Sequence, residues 1–377
     1  MIQRLLGLAA LALACAFSGY AGYRIHKRVD MQGLRAITVA QGLVQPWAMV
    51  FLPDGRMLVT ERPGRMRVVG PDGALGPPLA GLPPVYATGE GGLLDVVLDP
   101  AFADNARVYW TFSESAAGGA PGAGTAVASG RLQGNALQDV KVIYRQADKV
   151  DSGLHFGSRL LFDREGKLLV GLGDRSRRDD AQRLDSAHGK ILRLEPDGRP
   201  AAGNPFLDTP GALPEIWSYG HRNVQGMAFH PVTGELWATE HGPQGGDELN
   251  VIAAGRNYGW PVITYGCEYR TCAKIGEGSA KPGMEQPVQH WGPPSNAPSG
   301  MAFLTSDRYP GWKGQMFIGT LRGSALVRMR IEGHRVVEEQ RLVTGLDERI
   351  RDVRQGPDGW LYILTHDPHG RILRIEK

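Results

Sequence analysis

The chain has 377 residues, 42% of them hydrophobic and 52 of them glycine, with a formal net charge of +3 at pH 7. Such a composition belongs to a turn-rich globular protein, not a disordered one, and the length suits one large all-β domain or two average domains. No long basic run follows residue 28, which argues against nucleic-acid binding, since that needs a concentrated basic surface.

At the N-terminus, Arg4 precedes nineteen uncharged residues, Leu5 to Tyr23, rich in Leu, Ala and Gly; Arg24, Lys27 and Arg28 follow. The basic start and apolar middle fit a cleaved secretory leader. An uncleaved anchor also fits, because ~20 apolar residues span a bilayer, and positive charge on both flanks leaves its orientation open. Leu-Ala-Cys around Cys15 has the look of a lipoprotein cleavage site, with Ala12 where leucine is usual. Every route means export. Residues 1–28 are therefore read as signal peptide or membrane anchor, residues 35–377 as the working domain, and the expected location is the periplasm or beyond.

From residue 49 onward one unit recurs: an apolar strand, a turn rich in Pro, Asp and Gly, then a second apolar strand. It runs through MVFLPDGRMLVTERPGRMRVV (49–69), VVLDPAFADNARVYWTFS (96–113), LLFDREGKLLVGLGD (160–174), MAFHPVTGELWATEHG (227–242), MAFLTSDRYPGWKGQMFIGT (301–320) and VRQGPDGWLYILTHDPHGRILRI (353–375). Alternating apolar and polar residues with Asp-Gly punctuation make each an antiparallel hairpin. A single hairpin cannot bury its own faces, so six spaced by roughly 45–75 residues must stack on one another. The expected fold is all-β, a six-bladed β-propeller of four-stranded antiparallel blades; a sandwich seldom holds six similar hairpins. The inserts Glu114–Gly124 and Cys267–Ser299 are expected to be loops over one face, with polar residues distant in sequence meeting at the central channel.

Candidate chemistry follows along the chain. Glu90 sits in the Gly-rich turn GEGGLLD, where glycine permits close backbone approach. His155, in SGLHFGSRL, lies where a loop runs into a strand; taken alone, such a histidine is more often structural than a general base. The segment 171–198 reads as a charged loop without chemistry, His230 as a solvated or backbone-bonded turn residue, and His334, His366 and His369 as surface-turn residues.

The densest stretch is YGHRNVQGMAFHPVTGELWATEHGPQGGDELNVIAAGRNYGW (219–260). Arg222 offers a planar charged fork for a carboxylate or oxyanion. The carbonyls of Gly242 and Pro243, with Asp247 and Glu248 nearby, offer the hard oxygens that Ca²⁺ prefers. One anionic, metal-chelating cofactor would satisfy both. Cys267 and Cys272 face each other across a four-residue polar loop, and in an oxidising compartment a local disulfide is the natural reading. Arg322, Arg349 and Arg351 stand at strand ends; the last two alternate on an extended segment and point to one side.

The motifs EGGLLD, HFGSRL, GKILRL, SYGHRNVQGMAF, EHGPQGGDELN, NYGWP, SGMAF and RIRDV occur here in that order. From about Arg35 to the C-terminus the chain thereby resembles the soluble aldose sugar dehydrogenases of the quinoprotein glucose/sorbosone dehydrogenase family. The resemblance implies a six-bladed propeller that oxidises aldoses at C1 to the lactone with pyrroloquinoline quinone (PQQ) and Ca²⁺, passing electrons to a quinone or cytochrome, as a monomer or homodimer. By resemblance His155 is the general base that takes the proton of the anomeric hydroxyl, while hydride passes from C1 to C5 of PQQ. Arg222 and Asn223 match the pair beside the quinone, and Tyr269, Arg322, Arg349 and Arg351 match positions that contact PQQ. The carbonyls of Gly242 and Pro243 match ligands of the PQQ-bound Ca²⁺, and Glu248 and Tyr258 match ligands of a second, structural Ca²⁺. Glu90 stands where relatives place a glutamine against the cofactor. A carboxylate there would repel a tricarboxylate unless it were protonated or turned toward a cation. Two other readings stay open: a Ca²⁺-dependent sugar lactonase-type propeller hydrolase, which would use carboxylate and Asn ligands at the channel, and a non-catalytic binding propeller.

Overall fold

A computed structural model describes residues 33–377 of the protein; the proposed leader lies outside them. Six sheets of four antiparallel strands each account for the strands of the described residues. The first blade comprises Pro46–Phe51, Met57–Glu61, Arg65–Val69 and Leu75–Pro78. The next four begin at Leu93–Leu98, Leu160–Phe162, Val224–Phe229 and Pro298–Phe303. In the sixth, Ile350–Gln355, Leu361–Thr365 and Gly370–Glu376 take their outermost strand from the other end of the chain, Arg35–Leu43. Pairing from Arg35↔Glu376 to Leu43↔Gly370 closes the ring.

Each repeat expected from the sequence forms the two inner strands of one blade, and the first and last repeats a third strand as well. In the fourth blade the turn at 230–235 sets the register Phe229↔Leu236, Met227↔Ala238 and Val224↔Glu240. His230 works there as anticipated, its Nδ1 accepting from the amides of Val232 (3.3 Å) and Thr233 (3.1 Å). The inserts are not simple loops. Glu114 and Ser115 extend a strand of the second blade, and 267–299 supplies Gln289–Trp291, the outer strand of the fourth.

Blades are joined by apolar layers and by buried hydroxyls. Trp110, Leu58, Met66 and Leu93 share one fully buried cluster between the first and second blades, each large side chain contributing about 1.5–3 kcal/mol. Thr60 donates to the carbonyl of Leu94 (2.5 Å), Thr111 to Ser158 (2.8 Å) and Thr239 to Ser299 (3.1 Å), the same strand position reaching the next blade each time. The innermost strands carry a bulge near their first residues in five blades, at Pro46/Ala48, Leu93/Val96, Val224/Gly226, Pro298/Met301 and Ile350/Asp352. Such bulges re-aim side chains, here toward one mouth of the central channel.

Below that mouth a buried ionic lattice crosses the channel. Arg159 reaches Asp95 and Asp352 (both 3.2 Å) and the carbonyl of Gln225 (2.9 Å), and Arg354 returns to Asp352 (2.9 Å). Asp352 also accepts from the amide of Met49 (3.1 Å), and Asp95 from Leu160 (2.7 Å). Removing one member of such a lattice strands the others in low dielectric.

Candidate active site

A cavity of about 250 Å³ opens at the bulged end of the channel, and all six blades line it. Two places in the repeat supply most of its wall. Trp47, Leu94, Gln225 and Arg351 come from the first residues of innermost strands; Arg62, His241, Leu321 and His366 each directly follow the second strand of their blade. Polar residues far apart in sequence do meet here.

Arg349 and Arg351 both face the cavity, as their alternation requires, and Arg62 joins them. Arg351 bonds Gln225 Oε1 (2.8 Å), but its buried Nε has no partner among the described residues. Burial, followed by the charges of Arg349, Arg159 and Arg62, pushes the Arg351 guanidinium down to about 9. Three guanidinium groups crowded on one pocket call for a polyanion. His366 is no surface-turn residue. It is half-buried in the same wall, and burial and then Arg351 press its imidazole down to about 2, so it stays neutral.

His155 directly precedes Phe156 and Gly157 of the cavity wall, with a left-handed backbone (φ 53°) that non-glycine residues seldom adopt. Its Nδ1 is 2.7 Å from Asp174 Oδ1. Asp174 also accepts from Trp260 Nε1 (2.7 Å) and the amide of Ser176 (2.8 Å). Burial would raise this carboxyl, but the hydrogen bond from His155, aided by Arg222, holds it below the usual carboxylate range. An ionised carboxylate only accepts, so the proton sits on Nδ1 and leaves Nε2 free as a base. Gly173 makes the approach possible, because a Cβ there would lie 2.0 Å from the His155 carbonyl. Segment 171–198, read from sequence as free of chemistry, therefore contributes the group that orients the candidate base.

Beside it lies a small cavity of about 10 Å³, lined among others by Arg222, Glu240, Gly242, Glu248 and Tyr258. Arg222 donates to the carbonyls of His241 (3.0 Å) and Gly242 (2.6 Å), sits 5.3 Å from the Trp260 ring, and has a buried Nε without a partner among the described residues. Asn223 is committed to structure, its Oδ1 accepting from Gly157 N (3.0 Å) and Gln225 Nε2 (3.2 Å). The Gly242-Pro243 turn folds so tightly that a Cβ on Gly242 would strike the carbonyls of Gly246 (2.2 Å) and Gly245 (2.3 Å). Asp247 organises this turn: Oδ1 accepts from Gly242 N (3.0 Å), and Oδ2 from Ser295, Asn296 and Ala297. Glu240 and Glu248 are bridged by Asn250 (3.3 and 3.1 Å), and burial together with Glu240 pushes Glu248 up to about 8. The Tyr258 hydroxyl is spent on Val251 O (2.7 Å) and Ala253 N (2.8 Å), which leaves its main-chain carbonyl for a cation. Carbonyl and carboxylate oxygens around a space of one water-sized particle fit a hard cation.

Glu90 sits on the exposed rim, where its Oε2 accepts from the His155 amide (2.7 Å) and its charge supports the guanidinium groups of Arg62, Arg175 and Arg351. The carboxylate is thus turned to the His155 amide, with the charges of Arg62, Arg175 and Arg351 in its surroundings. Tyr269 and Arg322 stay outside both cavities; Tyr269 is 55% exposed on the loop closed by the Cys267–Cys272 disulfide, and Arg322 is exposed. Arg62, His241 and His366 escaped sequence reasoning. The repeat held their signal, since each follows the second strand of its blade.

A family model described as Glucose / Sorbosone dehydrogenase matches residues 43–374. The chain is 46% identical over 338 residues to the aldose sugar dehydrogenase YliI of Escherichia coli K12, covering 88% of this chain and 90% of that one. The apo-form structure of the soluble aldose sugar dehydrogenase of Escherichia coli superposes with a TM-score of 0.88 at 44% identity, covering 91% and 99% of the two chains. The PQQ-bound aldose sugar dehydrogenase of Streptomyces coelicolor gives 0.75 at 31% identity, covering 91% and 97%.

Proposed function

The chain belongs to the glucose/sorbosone dehydrogenase family, and we propose that it oxidises aldose sugars at C1 to the lactone, with PQQ as electron acceptor and Ca²⁺ as its metal. One observation carries the cofactor reading: Arg62, Arg349 and Arg351 converge on one cavity, with the buried Arg351 Nε unspent, beside a histidine whose Nε2 is free. PQQ has three carboxylates for those guanidinium groups. The carbonyls of Gly242 and Pro243 would hold its Ca²⁺, and Glu248 with the Tyr258 carbonyl a second, structural ion. When bound, PQQ supplies the two-electron acceptor and Ca²⁺ polarises it.

The chain's own residues supply the rest. His155 takes the anomeric hydroxyl proton at Nε2, and Asp174 fixes its tautomer and stabilises the imidazolium that forms. Arg222, aimed at the Gly242 carbonyl, brings a positive charge to the place where negative charge develops. A lactonase would need carboxylate ligands at the channel, whereas arginines line this cavity. We also propose that the protein is exported, which fits its apolar N-terminal segment and its disulfide; cell fractionation tests this. The activity test is visible-absorption titration of the apo-protein with PQQ and Ca²⁺, followed by an aldose. Saturable PQQ binding and sugar-dependent bleaching are expected; absence of bleaching overturns the dehydrogenase reading.

A further inference from the structure

The loop carrying His155 is held by a buried arginine that the chemistry above does not use. Arg175, directly after Asp174, is completely buried. Its Nη2 donates to the carbonyls of Ser152 (2.5 Å), Ala123 (3.2 Å) and Val150 (3.4 Å), and its Nη1 to that of Leu154. The guanidinium lies 3.5 Å from the ring centroid of Phe156. Arg175 thus grips the chain on both sides of His155: three carbonyls from the five residues before it and the ring after it.

Glu90 completes the grip from the opposite side. Its amide donates to Gly153 O (2.7 Å), and its carboxylate accepts from the His155 amide. Arg62 in turn fastens the carbonyls of Gly89 and Gly91 on either side of Glu90, the latter at 3.2 Å. His155 has φ 53°, a left-handed backbone that persists only where surrounding contacts over-determine it. Three such contacts meet there: Asp174 on the ring, Glu90 on the amide, and Arg175 on the preceding carbonyl.

We propose that Arg175 and Glu90 are positioning residues, an opposite-charge clamp that holds the His155 backbone in its left-handed conformation and so aims Nε2 into the cavity. The clamp explains why position 90 carries a carboxylate. A glutamine oxygen could accept the His155 amide, but only a carboxylate also brings a negative charge into the surroundings of the buried Arg175 guanidinium. The kinetic part of this inference rests on His155 being the base; the structural part does not.

The test compares Arg175→Met, Arg175→Lys, Glu90→Ala and Glu90→Gln with wild type. Amide hydrogen exchange is read on the apo-proteins over residues 150–157, with residues 236–240 as an internal control. Exchange in 150–157 should quicken at least about tenfold in Arg175→Met and Glu90→Ala, less in Arg175→Lys, and least in Glu90→Gln, which keeps an acceptor. In reconstituted enzyme, kcat should fall about 10–100-fold for Arg175→Met, the cost of a base displaced by a fraction of an ångström, while the PQQ dissociation constant stays within about threefold. Should Arg175→Met not fold, Arg175→Lys and Glu90→Ala carry the same readouts. Wild-type exchange over 150–157 in these variants overturns the clamp, as does lost PQQ affinity with unchanged kcat. If wild type lacked sugar oxidation but the exchange pattern held, the dehydrogenase reading would fall and the clamp would stand.

Discussion

Asp174→Asn probes the candidate base most directly, because three N–H donors converge on this carboxylate: His155 Nδ1, Trp260 Nε1 and the Ser176 amide. Asparagine offers one acceptor oxygen and one NH₂. If its oxygen stays on His155, the NH₂ faces the Trp260 donor and leaves it unpaired, at a cost of about 1–3 kcal/mol of stability. If the amide turns to satisfy Trp260, the NH₂ donates to Nδ1, the ring proton moves to Nε2, and the base is lost. The same substitution in a Ser-His-Asp triad lowers kcat about 10⁴-fold through the wrong tautomer, and a positioned general base is worth about 10²–10⁴. We expect kcat to fall within that range in a dye-reduction assay with saturating PQQ and Ca²⁺, with PQQ affinity retained.

Acid titration adds a second readout. The Asp174 carboxyl is held below its unfolded value, so its contribution to stability is full above about pH 4 and is lost as pH falls through the folded value. The thermal midpoints of wild type and Asp174→Asn should therefore differ near neutral pH and converge in acid. A variant with normal kcat, or a midpoint gap that widens in acid, refutes the assignment.

His155→Gln should lower kcat by about 10²–10⁴ and leave PQQ titration of the apo-protein unchanged; normal turnover would make His155 structural. Arg351→Met removes a charged donor from the cavity, worth about 1.5–3 kcal/mol, so PQQ should bind about 10–150-fold more weakly by visible titration, and equal affinity would mean that the anion lies elsewhere. Glu90→Gln should shift the PQQ dissociation constant by less than about threefold at neutral and high pH, because the carboxylate is exposed and faces Arg62, Arg175 and Arg351; a gain that grows tenfold with pH would restore the repulsion argument.

Much of the architecture was legible in the chain. Hairpin alternation and Asp-Gly turns act over fifteen or so residues, so the six repeats, their inner strands and the propeller could be read directly. Ring closure came only with the structure, in which Arg35–Leu43 pairs with Gly370–Glu376 to complete the sixth blade. Motif order identified the family, and the motifs pointed to His155, Arg222, Arg349, Arg351 and the Gly242-Pro243 turn. What only the tertiary structure decided was which polar groups meet. Asp174 and Arg175 lie in a charged stretch that looks solvated, yet the second strand of the third blade delivers one to the His155 ring and the other to the carbonyls before it. Arg62, His241 and His366 look like turn residues, but radial symmetry brings their shared position to the channel mouth. Arg322 and Tyr269 match, by resemblance, positions that contact PQQ and still stay at the surface. Local pattern fixes the hydrogen-bonded ladder of a blade; convergence at the axis depends on how the innermost strands, five of them bulged, aim their first side chains, which is set only when the blades pack.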